Sequence, residues 1–236
     1  MRSALTAQAA VIAGVLTWAL VQAHATSEHT YEKNEYLVME GGRAPNKLLS
    51  IASHGKGEAG RDDFHLYLMA EPAHRKIAQL PGIGPDDVLD TGPDAYEARW
   101  ASDSRHVAVG FRSDRHIAEV RLYRIGNARA QIIPVPDLLR RVMKNAPISY
   151  QDYAARRLEL NWLAPTKFRL EESVAFRVSS SSPALARILG PFGRESAEQN
   201  QASPVLEFSA EAVGELRPGG KYRLLEFKPG NFRFGQ

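Results

Sequence analysis

The sequence predicts a mainly β fold, an antiparallel meander of propeller-like or sandwich type with a short helical insertion near residues 136–157. Apolar and polar residues alternate with a period of two, as half-buried strands require. The six runs with this alternation are 64–69, 96–100, 106–111, 118–122, 174–178 and 221–224. Short polar segments between runs, such as Ser102-Asp103-Ser104, are typical of hairpin turns.

Two segments depart from the alternation and predict helices. Pro136 to Lys144 places its apolar residues on one helical face, and Pro136 suits a first helical position. Ser149 to Arg157 is expected to follow as a second short helix with Ser149 as its N-cap. These two segments form the predicted helical insertion.

The first 25 residues read as a secretory signal peptide. Arg2 provides a positive start, Ala9–Val21 is an uncharged apolar run, and Ala23-His24-Ala25 has the small-x-small pattern of a cleavage site. The apolar run is shorter than the roughly 20 residues of a spanning helix. We therefore expect cleavage after Ala25, no stable membrane anchor afterwards, a periplasmic or secreted location, and a single mainly β domain over 26–236.

Composition narrows the function classes. The chain has no cysteine, so disulfides and thiolate metal sites are excluded. Thirty Lys and Arg residues oppose 27 Asp and Glu residues, and the basic clusters are short. A nucleic-acid binder usually shows a longer basic stripe with aromatic residues. We therefore expect no nucleic-acid partner.

One segment resembles a known repeat. Residues 100–109 read W-A-S-D-S-R-H-V-A-V, which is similar to the W-S-P-D-G-K-x-I-A-F signature of TolB-like (PD40) β-propeller repeats. Ser102 replaces the proline of that signature and Ser104 replaces its glycine. The resemblance covers about residues 90–135 and implies that Trp100 ends one strand and Asp103 occupies a tight turn. It also implies an exported scaffold for binding, as is common in that family.

A second, fainter pattern suggests a repeat. Glu97-x-x-Trp100 recurs 62 residues later as Glu159-x-x-Trp162. The pattern fits a second blade, and it also fits two unrelated amphipathic strands that each end in tryptophan. Core packing is the favoured role of Trp100 and Trp162, and stacking on a sugar ring is the alternative.

Motifs of catalysis and cofactor binding are missing from the sequence. There is no G-x-S-x-G, H-E-x-x-H, G-x-G-x-x-G or Walker loop, so no catalytic residue is identified and no cofactor is expected. Asp63 and His65 would point to the same side of a strand, as metal ligands do. Asp63 also fits a turn that enters a strand, so no metal site is expected, and these two residues are the only candidates that the sequence offers.

Two classes of function remain. The first is an exported, non-catalytic binding or scaffold protein whose β framework presents loops to an envelope protein. The alternative is a small exported hydrolase that uses dispersed carboxylate or histidine residues, which no linear motif would reveal.

Overall fold

A computed structural model describes residues 26–143, 153–177, 193–196 and 205–230. Within these ranges the predicted mainly β fold is confirmed, with thirteen strands and one short α-helix. The elements are β1 (Leu37–Arg43), β2 (Leu49–Lys56), β3 (Asp62–Ala70), β4 (Arg75–Gln79), β5 (Glu97–Trp100), β6 (His106–Asp114), β7 (Ile117–Gly126), β8 (Arg129–Ile133), α1 (Leu138–Met143), β9 (Tyr153–Ala164), β10 (Lys167–Arg177), β11 (Gly193–Ser196), β12 (Val205–Arg217) and β13 (Lys221–Pro229).

The strands form three antiparallel meanders in chain order. The first meander is β1–β4, the second is β5–β8, and the third is β9, β10, β12 and β13, with β11 also paired to β12. Two short parallel contacts join them: Glu40 of β1 pairs with Glu97 of β5, and Ile117–Ala118 of β7 pair with Arg156–Arg157 of β9. In the described part of the chain the resulting sheet does not close on itself.

Two apolar cores hold the meanders together. The first lies between the first and second meanders and contains Phe64, Leu66, Leu68, Tyr96, Val107, Val109, Phe111 and Tyr123. The second lies between the second and third meanders and α1, and contains Val120, Leu122, Leu138, Leu139, Leu160, Phe168, Leu170, Val174 and Phe208. Strand alternation explains both cores, because successive residues of β6 and β7 face opposite sides.

The helical prediction is correct for part of its span and wrong at its end. Leu138–Met143 is helical, and Asp137 accepts a hydrogen bond from the Arg140 amide at 2.7 Å at its start. Residues 153–157 were expected in the second helix, but they form the beginning of strand β9. Their backbone pairs with β10 and, at Arg156 and Arg157, with β7, and this pairing on both sides outweighs the local helical preference. Residues 144–152 lie outside the described residues.

The predicted signal peptide, with Ala23 and Ala25 at its cleavage site, lies outside the described residues. In the described ranges, no helix is long and apolar enough to cross a membrane.

Candidate functional site

A groove of about 490 Å³ lies where the second and third meanders meet. Strands β5, β6 and β7 form one wall, and the start of β9 forms the other. The parallel contact of β7 with β9 closes one side of the groove, while Glu40 of β1 reaches it from the first meander. The groove is therefore the place where all three meanders contribute residues to one cavity.

Small residues on β6 and β7 create the space. Ala108, Gly110 and Ala118 line the groove, whereas the opposite face of the same hairpin carries residues as large as Tyr123 in the first core. Leu158 and Leu160 of β9 add apolar surface. The floor of the groove is thus lined by apolar residues, most of whose surface is buried in the second core.

The backbone conformation and its surroundings do not require glycine at position 110. A Cβ atom at this position would have its nearest neighbours at 3.8 and 4.0 Å, both of them carbonyl oxygens at ordinary contact distance. By contrast, a Cβ at Gly42 would lie 2.7 Å from a backbone oxygen, and one at Gly55 would lie 2.0 Å from another. The missing side chain at Gly110 therefore leaves open space in the groove and relieves no clash.

Arg99 of β5 organises the rim of the groove. Its Nε and Nη2 donate to the two carboxylate oxygens of Glu97 at 2.6 and 2.8 Å. Its Nη1 donates to Glu159 at 2.8 Å, to the Asn161 side chain at 2.7 Å and to the Leu160 carbonyl at 3.4 Å. These contacts use the full fork of the guanidinium and tie β5 to β9.

Acidic groups outnumber basic groups around the groove. Its charged lining residues are Glu40, Asp94, Glu97, Glu119, Glu159, Arg99, Arg112 and Arg157, which gives five carboxylates against three guanidinium groups. Arg112 is also held by the buried Asp90, which is 1% exposed, through two hydrogen bonds of 2.7 and 2.6 Å. Arg157 points largely into solvent, with 71% of its side chain exposed. The residues that line the groove therefore carry a net negative charge.

Glu159 is held in its ionised form. Partial burial raises the pKa of its carboxyl, but the hydrogen bond and positive charge of Arg99 outweigh burial, so the net pKa lies below the usual value. The hydrogen bond from Arg99 to Glu97 is also the main reason that the pKa of Arg99 is raised. A carboxylate in this state suits the binding of a cation better than the donation of a proton.

The two predicted structural tryptophans make equivalent contacts. Trp100 of β5 donates from Nε1 to the carbonyl of Gly42 in β1 at 3.0 Å, and Trp162 of β9 donates to the carbonyl of Arg99 in β5 at 2.7 Å. Both indole rings are half-buried and pack against a core. Each tryptophan thus links the first strand of its meander to the first strand of the preceding meander.

Asp103 lies in the turn between β5 and β6. Its Oδ1 accepts hydrogen bonds from the amides of Arg105 at 2.8 Å and His106 at 3.3 Å, and its Oδ2 lies 2.9 Å from Nδ1 of His106. The His106 ring packs against Trp162, with ring centroids 5.9 Å apart. The Asp–His pair is therefore engaged within the turn and with the third meander.

Asp63 and His65 do lie close together on β3, with His65 Nε2 at 3.3 Å from Asp63 Oδ1. Asp63 is also paired with Lys56 at 2.6 Å, and His65 Nδ1 lies 2.8 Å from the side chain of Gln79. Among the described residues, no group of three or more histidine, aspartate or glutamate side chains is arranged to share a metal ion. The side chains that contact Asp63 and His65 are thus a lysine and an amide, and neither is a carboxylate or an imidazole.

Sequence reasoning did not identify the groove. The recurring Glu-x-x-Trp pattern did contain Glu97 and Glu159, the two carboxylates that meet on Arg99, but pattern alone cannot show that they converge. No protein-family model matches the chain, and no curated protein matches it. The resemblance to TolB-like repeats therefore stays a prediction from the sequence.

Proposed function

We propose that this chain is an exported, non-catalytic binding protein that holds its ligand in the groove between the second and third meanders. The open space at Gly110 is the main support, because the backbone there accepts a larger side chain and the groove would be smaller with one. Export is supported by the predicted signal peptide, and a scaffold role by the resemblance to TolB-like repeats.

The hydrolase alternative has less support from the groove. Glycoside hydrolysis needs one carboxyl group that stays protonated and one that is ionised. Glu97 and Glu159 both pair with the guanidinium of Arg99, and the pKa of Glu159 lies below its usual value. Binding by fixed charges and an apolar floor fits this arrangement better than proton transfer.

A groove-filling variant tests the proposal. Gly110→Val adds a β-branched side chain that suits a strand and projects into the groove. Gly126→Val is the matched control, because Gly126 lies in β7 at the far end of the same hairpin, has no atom within 4 Å of its Cβ position and does not line the groove. Tagged mature proteins would be used for affinity capture from an envelope extract and for a thermal-shift screen of small polar molecules.

We expect Gly110→Val to lose the ligand that the parent protein and Gly126→Val both retain, while all three melt at similar temperatures. Equal binding by Gly110→Val would contradict a ligand site in the groove. Turnover by the parent chain in a panel of hydrolase substrates, abolished by Glu97→Gln or Glu159→Gln, would favour the hydrolase instead. Mass spectrometry of the exported chain checks the first step, with Thr26 as the expected N-terminal residue.

A further inference from the structure

We infer that two copies of this chain join end to end, with β1 of each copy against β9 of the other, to form a closed ring of six meanders. The inference goes beyond the proposed ligand groove and does not depend on it. It follows from a structural repeat in the meanders, from the surfaces exposed at the two ends of their series, and from the number of meanders that a closed ring contains.

The first two meanders repeat one structural unit, as the turns that follow β1 and β5 show. In both turns the first amide donates to the carbonyl five residues later, at 2.9 Å from Ala44 and at 2.8 Å from Ala101. In both turns an Asn or Asp side chain then accepts the amide two residues later, and the residue between them has a positive φ, 59° in the first turn and 57° in the second. Arg43 therefore stands at the position that Trp100 has in the second meander.

The contact between successive meanders repeats as well. The residue before the tryptophan position accepts the indole of the following meander, as Gly42 and Arg99 do. Asn161 has this place in the third meander. Within the described ranges no indole donates to its carbonyl, because Trp100 and Trp162 have the other two acceptors. The third meander thus presents the acceptor position of this contact without a following meander.

The same surface that successive meanders cover is exposed at the two ends of the series. Ala44 and Ala101, which follow the tryptophan position in the first two meanders, are 2% and 0% exposed, whereas Leu163 at the same place in the third is 45% exposed. At the other end, Glu40 and Arg43 of β1 are exposed, while the equivalent residues of β5 and β9 are half-buried. Each end therefore lacks the neighbour that the inner meanders have.

The two ends suit each other. Arg99 donates to Glu159 of the following meander at 2.8 Å, so the equivalent contact between copies joins the Asn161 side chain to Glu40. Glu40 makes no hydrogen bond or ion pair with any described residue, and an amide group has two N–H donors. Arg43 brings guanidinium donors to the place of the indole, where the Asn161 carbonyl can accept them.

The number of meanders selects a pair of copies. Rings of four-stranded units around a central channel typically contain about four to eight units. Each copy supplies three four-stranded meanders, so two copies give six and three copies give nine. The first strands β1, β5 and β9 already border one groove, as strands around a common axis do. Two head-to-tail contacts related by a two-fold axis would close the ring.

Sedimentation velocity of the exported chain over a dilution series tests the inference. We expect the parent to sediment with twice the mass of one chain. Leu163→Glu places a charge in the contact and should weaken the dimer by about tenfold or more. Leu225→Glu is the matched control, because Leu225 is also an exposed leucine, at 40%, and lies on β13 at the edge of the third meander. This control should leave the dimer intact.

Replacement of Arg43 tests the contact from its other side. Arg43→Trp restores the residue of the other two meanders, so it should strengthen the dimer about tenfold through the indole hydrogen bond and ring packing. Arg223→Trp on β13, also at an exposed arginine, controls for association through any new indole and should have no effect. Arg43 and Leu163 are both exposed within one chain, so neither substitution removes core packing.

Cross-linking determines how the two copies are oriented, because the chain has no cysteine of its own. A mixture of Arg43→Cys and Leu163→Cys chains should give a covalent dimer with a short bismaleimide, and each variant alone should give none. The inference would be overturned by a parent that is monomeric at every concentration, by a mass of three or more chains, by cross-linking of either variant with itself, or by a dimer that Leu163→Glu leaves unchanged.

Discussion

Replacement of Glu172 should destabilise the protein more than any other single carboxylate substitution on the third meander. Glu172 of β10 is 0% exposed. One of its oxygens accepts the amides of Leu138 and Leu139 at 2.9 and 3.0 Å, at the start of α1. The other accepts Nε and Nη2 of Arg156 at 2.9 and 2.8 Å. Four donors therefore converge on one buried carboxylate.

The expected cost follows from what Glu172→Ala leaves behind. Loss of one member of a buried ion pair costs about 3–5 kcal/mol, because the remaining charge keeps its desolvation penalty. Arg156 is only 17% exposed, so its guanidinium recovers little hydration. We expect a decrease of about 4 kcal/mol in the free energy of unfolding, a large part of the ~5–15 kcal/mol of a typical domain.

Urea unfolding followed by tryptophan fluorescence measures this loss. Glu171→Ala is the matched control, because Glu171 is the preceding residue of the same strand, faces the other side and is half-buried. It should change stability by no more than about 0.5 kcal/mol. Glu172→Gln keeps an acceptor for the helix amides, so it should fall between the two and remain measurable if Glu172→Ala does not fold. Equal midpoints for Glu172→Ala and Glu171→Ala would refute the reasoning.

Substitutions at three further positions have defined outcomes. Trp100→Phe keeps most of the ring packing but removes the indole hydrogen bond to Gly42, so thermal melts should show a loss of about 1 kcal/mol in the free energy of unfolding. Trp100→Ala should lose about 3 kcal/mol, which is toward the lower end for truncation of an aromatic residue because the ring is half-buried. Asp103→Ala removes the side-chain acceptor of its turn and should cost about 1 kcal/mol in the same assay, and no change would exclude that role. When protonated, His74 donates to the Tyr36 carbonyl and to Glu71, and these contacts raise its pKa, the backbone hydrogen bond being the main cause. The stability that His74 contributes is complete below its unfolded pKa near 6.5 and is lost as the pH rises through its folded pKa. Asparagine suits the positive φ of 47° at this position. His74→Asn should therefore match the parent in urea unfolding at high pH and be less stable than the parent at low pH.

Much of the strand framework could be predicted from the sequence because alternation is a local signal. The runs 64–69, 106–111 and 118–122 fall within β3, β6 and β7. The β9 residues 153–157 could not be assigned in this way, because their conformation depends on pairing with β10 and β7, which are distant in sequence. Glu172 shows the same limit: a charge at an apolar position of β10 is visible in the sequence, but the donors that satisfy it are not.

The groove was beyond local prediction for a related reason. Gly110 belongs to a run whose alternation predicts a strand, and nothing near it in sequence shows that its missing side chain faces β9. Glu40 and Glu97 are separated by more than fifty residues and meet only through one parallel pair. Sites of this kind form where the strand topology brings distant residues together, so the spacing of residues in the sequence does not reveal them.

The tryptophan contacts follow the chain order of the three meanders. The indole of Trp100 needs an acceptor in β1, and the indole of Trp162 needs an acceptor in β5, so each donor comes later in the chain than its acceptor. Because a chain is synthesised from its N-terminus, each acceptor strand emerges before the tryptophan that uses it. Each meander can thus pack onto a meander that precedes it in the chain, and the carbonyl acceptor of each indole is already present when the tryptophan is added.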